Sequence, residues 1–401
     1  MAATSFTPAR TAGRPVPFPD RRPAPHLVDV TLFFAPTSGG VRRYLLAKHE
    51  WLARARLLDH TILVPGPADT GLPRHVVTFR SPAAPFGHGY RLPLRMEPFR
   101  EQLRALKPDL IEVGDPYQLA WQSLRVAREL GVPIVAFCHS DLATLSRTLL
   151  GAWSSGFARR YLANLYARFD RVLAPSTRLA ERLTDAGVPG VEIQPLGVDD
   201  AVFRPRAADP RVRAALGIPP GDKVLVFAGR LSPEKHVRIL LEAMGRLGAG
   251  WHLLLVGSGR RARLAANVTQ VNYQQEPAEL ARVLASCDAF VHAGDQETFG
   301  LVVLEAMACG LPVVAARAGA LPELVDEDVG GTFTPGDPDS LVAAVCTLFE
   351  RELATVRRAA RRRAESRSWD AAFRSLTTRY LGLVAGSVVD GGRREAWRHA
   401  G

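Results

Sequence analysis

Two successions of short apolar runs, each alternating with helix-length amphipathic stretches, fill most of the 401-residue chain. They restrict it to parallel sheets covered by helices. In the first succession Leu27–Ala35, His60–Val64, Val76–Phe79, Leu110–Val113, Pro133–Cys138, Arg171–Ala174 and Val191–Gln194 read as strands. A helix opens after the turn Ser38-Gly39-Gly40 and runs through Leu52. In the second, Lys223–Ala228, Trp251–Val256, Val268–Val271, Ala289–His292 and Pro312–Ala316 read as strands. Helices are expected there at His236–Leu247, Pro277–Cys287, Phe299–Cys309, Pro338–Glu350 and Ala354–Ser366. Asp337 is the expected N-cap of the fourth, with Pro338 at its first position. The expected fold class is α/β, with two doubly wound, Rossmann-like halves. A flexible tail would cover 1–25, a first domain 26–200, a second 201–368 and a terminal segment 369–401. Two domains suit the length at roughly 150 residues each. Sheets of this kind open a crevice at the carboxyl ends of their strands, so a ligand between facing halves would touch both.

Composition narrows the classes. Hydrophobic residues at 47% and charged residues at 23% exclude a mostly disordered chain. No run of 18 apolar residues suggests a transmembrane helix. Residues 1–25 carry Arg10, Arg14, Arg21 and Arg22 but no apolar core of a secretory signal. Cys138, Cys287, Cys309 and Cys346 are far apart in apolar settings. They read as buried free thiols of a reducing compartment, so a cytoplasmic location is expected. The net charge of +11 suits an anionic partner, be it nucleic acid, a membrane face or a small molecule, unless it is only a compositional bias.

The strongest motif is Glu297-Thr-Phe-Gly-Leu-Val-Val-Leu-Glu305. Glu297 precedes a helix and Glu305 lies within it. Eight residues at helical rise would separate them by about 12 Å, long for a hydrolase carboxylate pair and suited to gripping two ends of a long ligand. The helix start between them offers free amides and a positive dipole end to a phosphate. Glu305 sits among apolar residues, where a carboxylate needs a partner. In Gly229-Arg230-Leu231-Ser-Pro-Glu234-Lys235 a strand ends at Gly229 and a helix begins near Ser232. Arg230 and Lys235 could there hold a diphosphate and stabilise it as a leaving group; the plainer reading is a capped helix with two surface cations. Gly39 and Gly40 let a backbone approach a phosphate closely. His139, at a strand end, reads either as a structural histidine or as a contact to a substrate hydroxyl. Gly257, in Gly257-Ser258-Gly259, reads as a turn near a base or ribose.

Together these residues resemble the retaining glycosyltransferases of the GT-B fold, glycosyltransferase family 4. The carriers are Gly229-Arg230-Leu231, Glu234-Lys235, Glu297 with Glu305, Gly310-Leu-Pro312, Gly319-Ala-Leu-Pro322-Glu323, Pro195-Leu-Gly197-Val-Asp199 and Ser368-Trp369-Asp370. The resemblance implies that the helix opening at Trp369 crosses back to the first domain. It implies transfer of a hexose, of glucose or mannose type, from a UDP- or GDP-sugar to a glycan, lipid or small-molecule hydroxyl, with retention, by front-face attack and without a bound metal. No cofactor is expected beyond this donor. Arg230 and Lys235 would bind the diphosphate and Glu305 the ribose. Glu297, with Phe299, Gly300 and Leu301 at the helix start, would hold donor sugar and phosphate. His139 would touch the donor sugar, and Gly39, Gly40, Gly229 and Gly257 would lie against the donor. Ser140-Asp141 after His139 departs from relatives with a second histidine or a glycine there.

The sequence offers two other readings. A nucleic-acid binder is suggested by Arg357, Arg358, Arg361, Arg362 and Arg363, but a charge run on an amphipathic helix is usually a solvated face and no nucleic-acid motif accompanies it. No nucleic acid is therefore expected as a partner. A nucleotide-sugar epimerase would use the same fold. The acceptor should bind the first domain, where Arg80–Arg95 mixes cations, aromatics and flexible residues. The stretch Arg147–Arg168, with Leu149, Leu150, Trp153, Phe157, Leu162, Arg159 and Arg160, reads as a core-facing helix or as a peripheral contact with an anionic inner membrane face.

Overall fold

The computed structural model describes residues 24–35, 39–67, 73–84, 89–151, 153–206, 210–259, 264–274 and 276–398. The tail through residue 23, Ser38 and part of the Arg80–Arg95 stretch (residues 85–88) lie outside them. The first sheet has seven parallel strands, β1 (His26–Val30), β2 (Asp59–Gly66), β3 (Val76–Arg80), β4 (Leu110–Val113), β5 (Ile134–Phe137), β6 (Arg171–Ala174) and β7 (Val191–Ile193). Their order is β3-β2-β1-β4-β5-β6-β7. Helices α1 (Gly40–Ala55), α2 (Glu97–Ala105), α3 (Gln118–Leu130), α4 (Leu142–Leu150), α5 (Ser154–Tyr166) and α6 (Thr177–Asp185) connect them. After α7 (Pro210–Ala215), the second sheet has β8 (Lys223–Ala228), β9 (Trp251–Val256), β10 (Val268–Val271), β11 (Ala289–His292), β12 (Val313–Ala316) and β13 (Gly330–Phe333), ordered β10-β9-β8-β11-β12-β13. With it go α8 (Val237–Leu247), α9 (Pro277–Ala285), α10 (Leu301–Ala308), α11 (Pro338–Glu350), α12 (Leu353–Glu365) and α13 (Trp369–Arg398). Both orders reverse direction beside the first strand of the sheet, the switch point where doubly wound folds hold ligands.

The central strands are apolar because both faces are covered: β5, β11 and β12 are buried at every position. One polar exception fastens the first half. Asp29 of β1 and Glu112 of β4 are register partners, and Lys48 of α1 lies 2.7 Å from a carboxylate oxygen of each. The Tyr380 hydroxyl, on α13, also donates to Glu112. Burial and the Asp29 charge raise the Glu112 carboxyl to about 7, against the pull of Lys48. The terminal helix is thus tied by a buried hydrogen bond to the half of the molecule it returns to. At the crossing, Val198 N donates to Arg367 O at 2.9 Å and Trp369 N to Val198 O at 3.0 Å. The two passes lie so close that a Cβ on Gly197 would meet Ser368 O at 2.5 Å.

Of the local expectations, the cap of α11 holds and others need correction. Cys138, Cys287 and Cys309 are buried, whereas Cys346 is exposed on α11. Asp337 caps α11, accepting from the amides of Asp339 (2.9 Å) and Ser340 (3.1 Å). The arginines of α12 are not simply a solvated face. Arg361 donates to the carbonyls of Phe203 and Ala308, both at 2.8 Å, Arg363 to that of Leu324 and Arg357 to that of Asp288. They fasten loop carbonyls. In α5 Leu162 faces the core, but Phe157 and, just before the helix, Trp153 are each 70% exposed and meet edge to face, 6.1 Å between ring centres.

Candidate active site

A cleft of about 660 Å³ runs between the carboxyl ends of the two sheets, and both halves line it. From the first half come Gly39, Gly40, Arg43, His139 and the aromatic group Phe33, Tyr90 and Tyr117; from the second come Gly229, Arg230, Lys235, Glu297, Leu301 and Glu305. A Cβ on Gly40 would lie 3.9 Å from Leu301 Cδ2, so the N-termini of α1 and α10 converge there. The N-cap of α10 is Gly300, and no side chain caps the helix start. Such a helix start attracts an anion.

Glu297 is the most constrained group. The Lys235 ammonium bonds to its Oε1, and His292 Nε2 lies 3.0 Å from the same oxygen. Gly294 N donates to His292 Nδ1 at 3.2 Å, which leaves the ring proton on Nε2, the nitrogen nearest the carboxylate. Burial alone would raise the Glu297 carboxyl, but Lys235 and His292 outweigh it and hold it well below the usual carboxylate range. Arg230 is more open and lies 3.6 Å from Glu234, whose carboxylate also accepts from Ser232 Oγ at 2.6 Å. The expected helix start at Ser232 is a single 3₁₀ turn, Pro233–Lys235, and α8 follows it.

Glu305 lies on α10 beneath the cleft and takes Arg43 of α1 on its Oε1. His139 lies flat on Phe137, 4.6 Å between ring centres, and its Nε2 has no partner. Burial drives its imidazole down to about 3, helped by Lys48 and opposed by Asp29. It is therefore neutral at ordinary pH and offers a hydrogen bond, not a charge. Across the cleft mouth Thr298 Oγ1 donates to His139 O at 3.0 Å. Glu323 accepts from the amides of Thr177 (2.9 Å) and Arg178 (2.7 Å), covering the start of α6.

The cleft thus gathers Arg230, Lys235, Glu297, Glu305, His139, Gly39, Gly40, Gly229 and Leu301. Gly257 does not line it. This glycine packs behind the cleft wall, where a Cβ would meet Gly229 O at 1.7 Å, so its lack of a side chain serves strand packing. Phe299 is buried and Gly300 caps α10, and neither is among the residues lining the cleft. The 12 Å helical spacing of the two glutamates does not apply, because helix begins only at Leu301. Two groups escaped the sequence reading. Arg43 carried a signal: a cation in the first turn of a helix opposes the dipole unless a carboxylate is brought to it. His292 carried a weaker one, closing an apolar strand at the sheet's carboxyl edge as His139 follows β5.

Comparison with known proteins agrees with this geometry. Residues 38–202 match the model of Glycosyltransferase Family 4 and residues 222–351 that of Glycosyl transferases group 1. The chain is 33% identical over 387 residues to a GDP-mannose-dependent alpha-(1-6)-phosphatidylinositol dimannoside mannosyltransferase of Mycobacterium tuberculosis, covering 90% of this chain and 97% of that protein. It is 34% identical over 367 residues to a GDP-mannose-dependent alpha-mannosyltransferase of Mycolicibacterium smegmatis, covering 88% and 96%. In fold it is similar to a sucrose-phosphate synthase from Thermosynechococcus elongatus, with TM-score 0.76, 22% identity and coverage of 90% of this chain and 100% of that one. It is also similar to Anabaena HepE in complex with UDP and glucose, with TM-score 0.71, 23% identity and coverage of 89% and 99%. These likenesses favour a transferase over an epimerase.

Proposed function

The chain belongs to glycosyltransferase family 4, and from that premise we propose that it moves mannose from GDP-mannose to a hydroxyl acceptor, retaining the anomeric configuration. The reading rests on one convergence: Arg230, Lys235 and the N-terminus of α10 meet beside Glu297 in a cleft lined by both halves. Arg230 and Lys235 hold the diphosphate, with the N-terminus of α10 beside them. Glu305 takes the ribose, and Glu297 and His139 take hydroxyls of the donor sugar. The bond from the sugar's anomeric carbon to the diphosphate breaks with charge gathering on the leaving oxygen, where the two cations stabilise it. The acceptor oxygen attacks the face the diphosphate leaves, and its proton passes to a departing phosphate oxygen. No side chain acts as nucleophile, and the two cations stabilise the leaving oxygen without a resident metal.

Mannose and guanine are supported by the names of the mycobacterial relatives, which are GDP-mannose-dependent enzymes. Isothermal titration should show GDP binding at least about tenfold more tightly than UDP, a difference of about 1.4 kcal/mol. Equal binding would remove the guanine assignment, and tighter UDP would reverse it.

On the acceptor side Phe33 meets Tyr90 and Tyr117 edge to face, at 6.2 and 6.0 Å between ring centres. We place a saccharide or lipid-linked polyol there. No helix among the described residues is long and apolar enough to cross a membrane. The exposed pair Trp153 and Phe157, beside exposed Arg159 and Arg160, supports peripheral contact with an anionic surface. Vesicles rich in acidic lipid should carry the protein upward in flotation at low salt and release it at high salt. Protein left at the bottom of the gradient at low salt would dismiss the membrane contact.

A further inference from the structure

Arg43 and Glu305 meet at the wall of the cleft. Both line the cleft, yet the Glu305 side chain is only 1% exposed and that of Arg43 17%. The guanidinium crosses from α1 to the Oε1 of Glu305, 262 residues away in sequence. Phe203 lies under it, 5.9 Å from ring centre to guanidinium carbon, and Tyr273 lies beside it. The other oxygen, Glu305 Oε2, is buried without a partner. A carboxylate that is to hold a vicinal diol needs both oxygens, but one is taken by Arg43 and the other is buried. The placement is also unfavourable for Arg43 itself, which sits in the first turn of a helix with no acidic residue in that turn.

We propose that Arg43 is a gate on the ribose site, occupying Glu305 in the empty enzyme and being exchanged for the ribose diol when a nucleoside diphosphate binds. The inference rests on the donor reading above, with Glu305 as the ribose carboxylate. The exchange makes nucleotide entry break one of the bonds that join the two halves, alongside Thr298 to His139 and Glu323 to α6. Arg43 thereby lowers apparent nucleotide affinity by stabilising a competing state. Deleting it leaves Glu305 buried and unpaired in the empty protein, a costly state that the ribose hydroxyls relieve.

The test is titration of the full chain with GDP, with UDP as second probe, for wild type, Arg43→Gln and Arg43→Lys. The expected result is roughly tenfold tighter binding by Arg43→Gln, the scale of one lost charge-assisted competitor, with Arg43→Lys intermediate. A merely structural arginine would give weaker binding on removal, never tighter. Unchanged or weaker binding in a folded Arg43→Gln protein overturns the gate, as it would if Arg43 itself held the diphosphate. If Arg43→Gln does not fold, Arg43→Lys binding no tighter than wild type overturns it instead. Failure of wild type to bind either nucleotide would strike the donor reading itself, which separates the two failures.

Discussion

Replacing Lys235 with alanine should lower the turnover of transfer by at least about 10²-fold. Its ammonium, on a side chain 18% exposed, bonds to Glu297, 15% exposed, at the end of the cleft where the diphosphate would leave. A fixed cation beside developing negative charge in a partly desolvated site contributes about 2.7–4 kcal/mol, or 10²–10³ in rate. The ion pair adds a second cost. Without Lys235 the Glu297 carboxylate keeps only His292, itself fully buried. Its carboxyl, now held far below the usual range chiefly by Lys235, should rise. Because a depressed carboxyl stabilises the fold above its unfolded pKa and loses that as pH falls, the variant, with its carboxyl less depressed, should be less stable near neutral pH and lose less stability on acidification than wild type. Lys235→Arg, which keeps a charge of different shape, should recover part of the rate, and Glu297→Gln should lose rate because the ammonium is no longer held. The measurement is mannose transfer from GDP-mannose by each variant, with melting temperatures to show an intact fold. Turnover of Lys235→Ala near wild type would reject the leaving-group role.

What the sequence made legible is what runs along a single element. Apolar runs such as Ala289–His292 and Val313–Ala316 are buried at every position, and that burial is what their composition records. Asp337 and Pro338 announce a helix start because capping is local. The strand β13, Gly330–Phe333, escaped because its sequence, Gly-Gly-Thr-Phe, carries two glycines and almost no apolar pattern; it is a strand through its pairing with β12. The donor-side residues were legible because they lie within short motifs at strand ends. Their partners were not. Lys235 finds Glu297 across 62 positions, through the pairing of β8 with β11, and Arg43 finds Glu305 across 262, a pairing that only the closing of one half upon the other creates. Composition also misled about environment: Trp153 and Phe157 look like core and stand in solvent, whereas the α12 arginines look like surface and hold buried loop carbonyls.

Gly257→Ala should lower the melting temperature by about 10 °C, from a loss of about 3 kcal/mol in a half of this size. An added Cβ would lie 1.7 Å from Gly229 O and 2.9 Å from Gly229 C, and both are backbone atoms that no side-chain rotation moves away. The strand ends cannot easily separate, because each is held. Gly229 N donates to Val256 O at 2.9 Å, Leu231 N to Ser258 O at 2.9 Å and Gly257 N to Val271 O at 3.0 Å. Whatever shift accommodates the methyl displaces Gly229, and with it Arg230 at the cleft. Transfer should therefore fall even at temperatures where the variant is folded. A direct nucleotide contact at Gly257 would leave a different signature: a normal melting temperature with weakened GDP binding. Gly39→Ala is the control, since nothing lies within 4 Å of its Cβ position, and it should melt as wild type does. If Gly257→Ala also melts as wild type does, the close approach of Gly257 to Gly229 at the ends of β8 and β9 is not what this glycine serves, and the nucleotide-contact reading of the Gly257 turn returns.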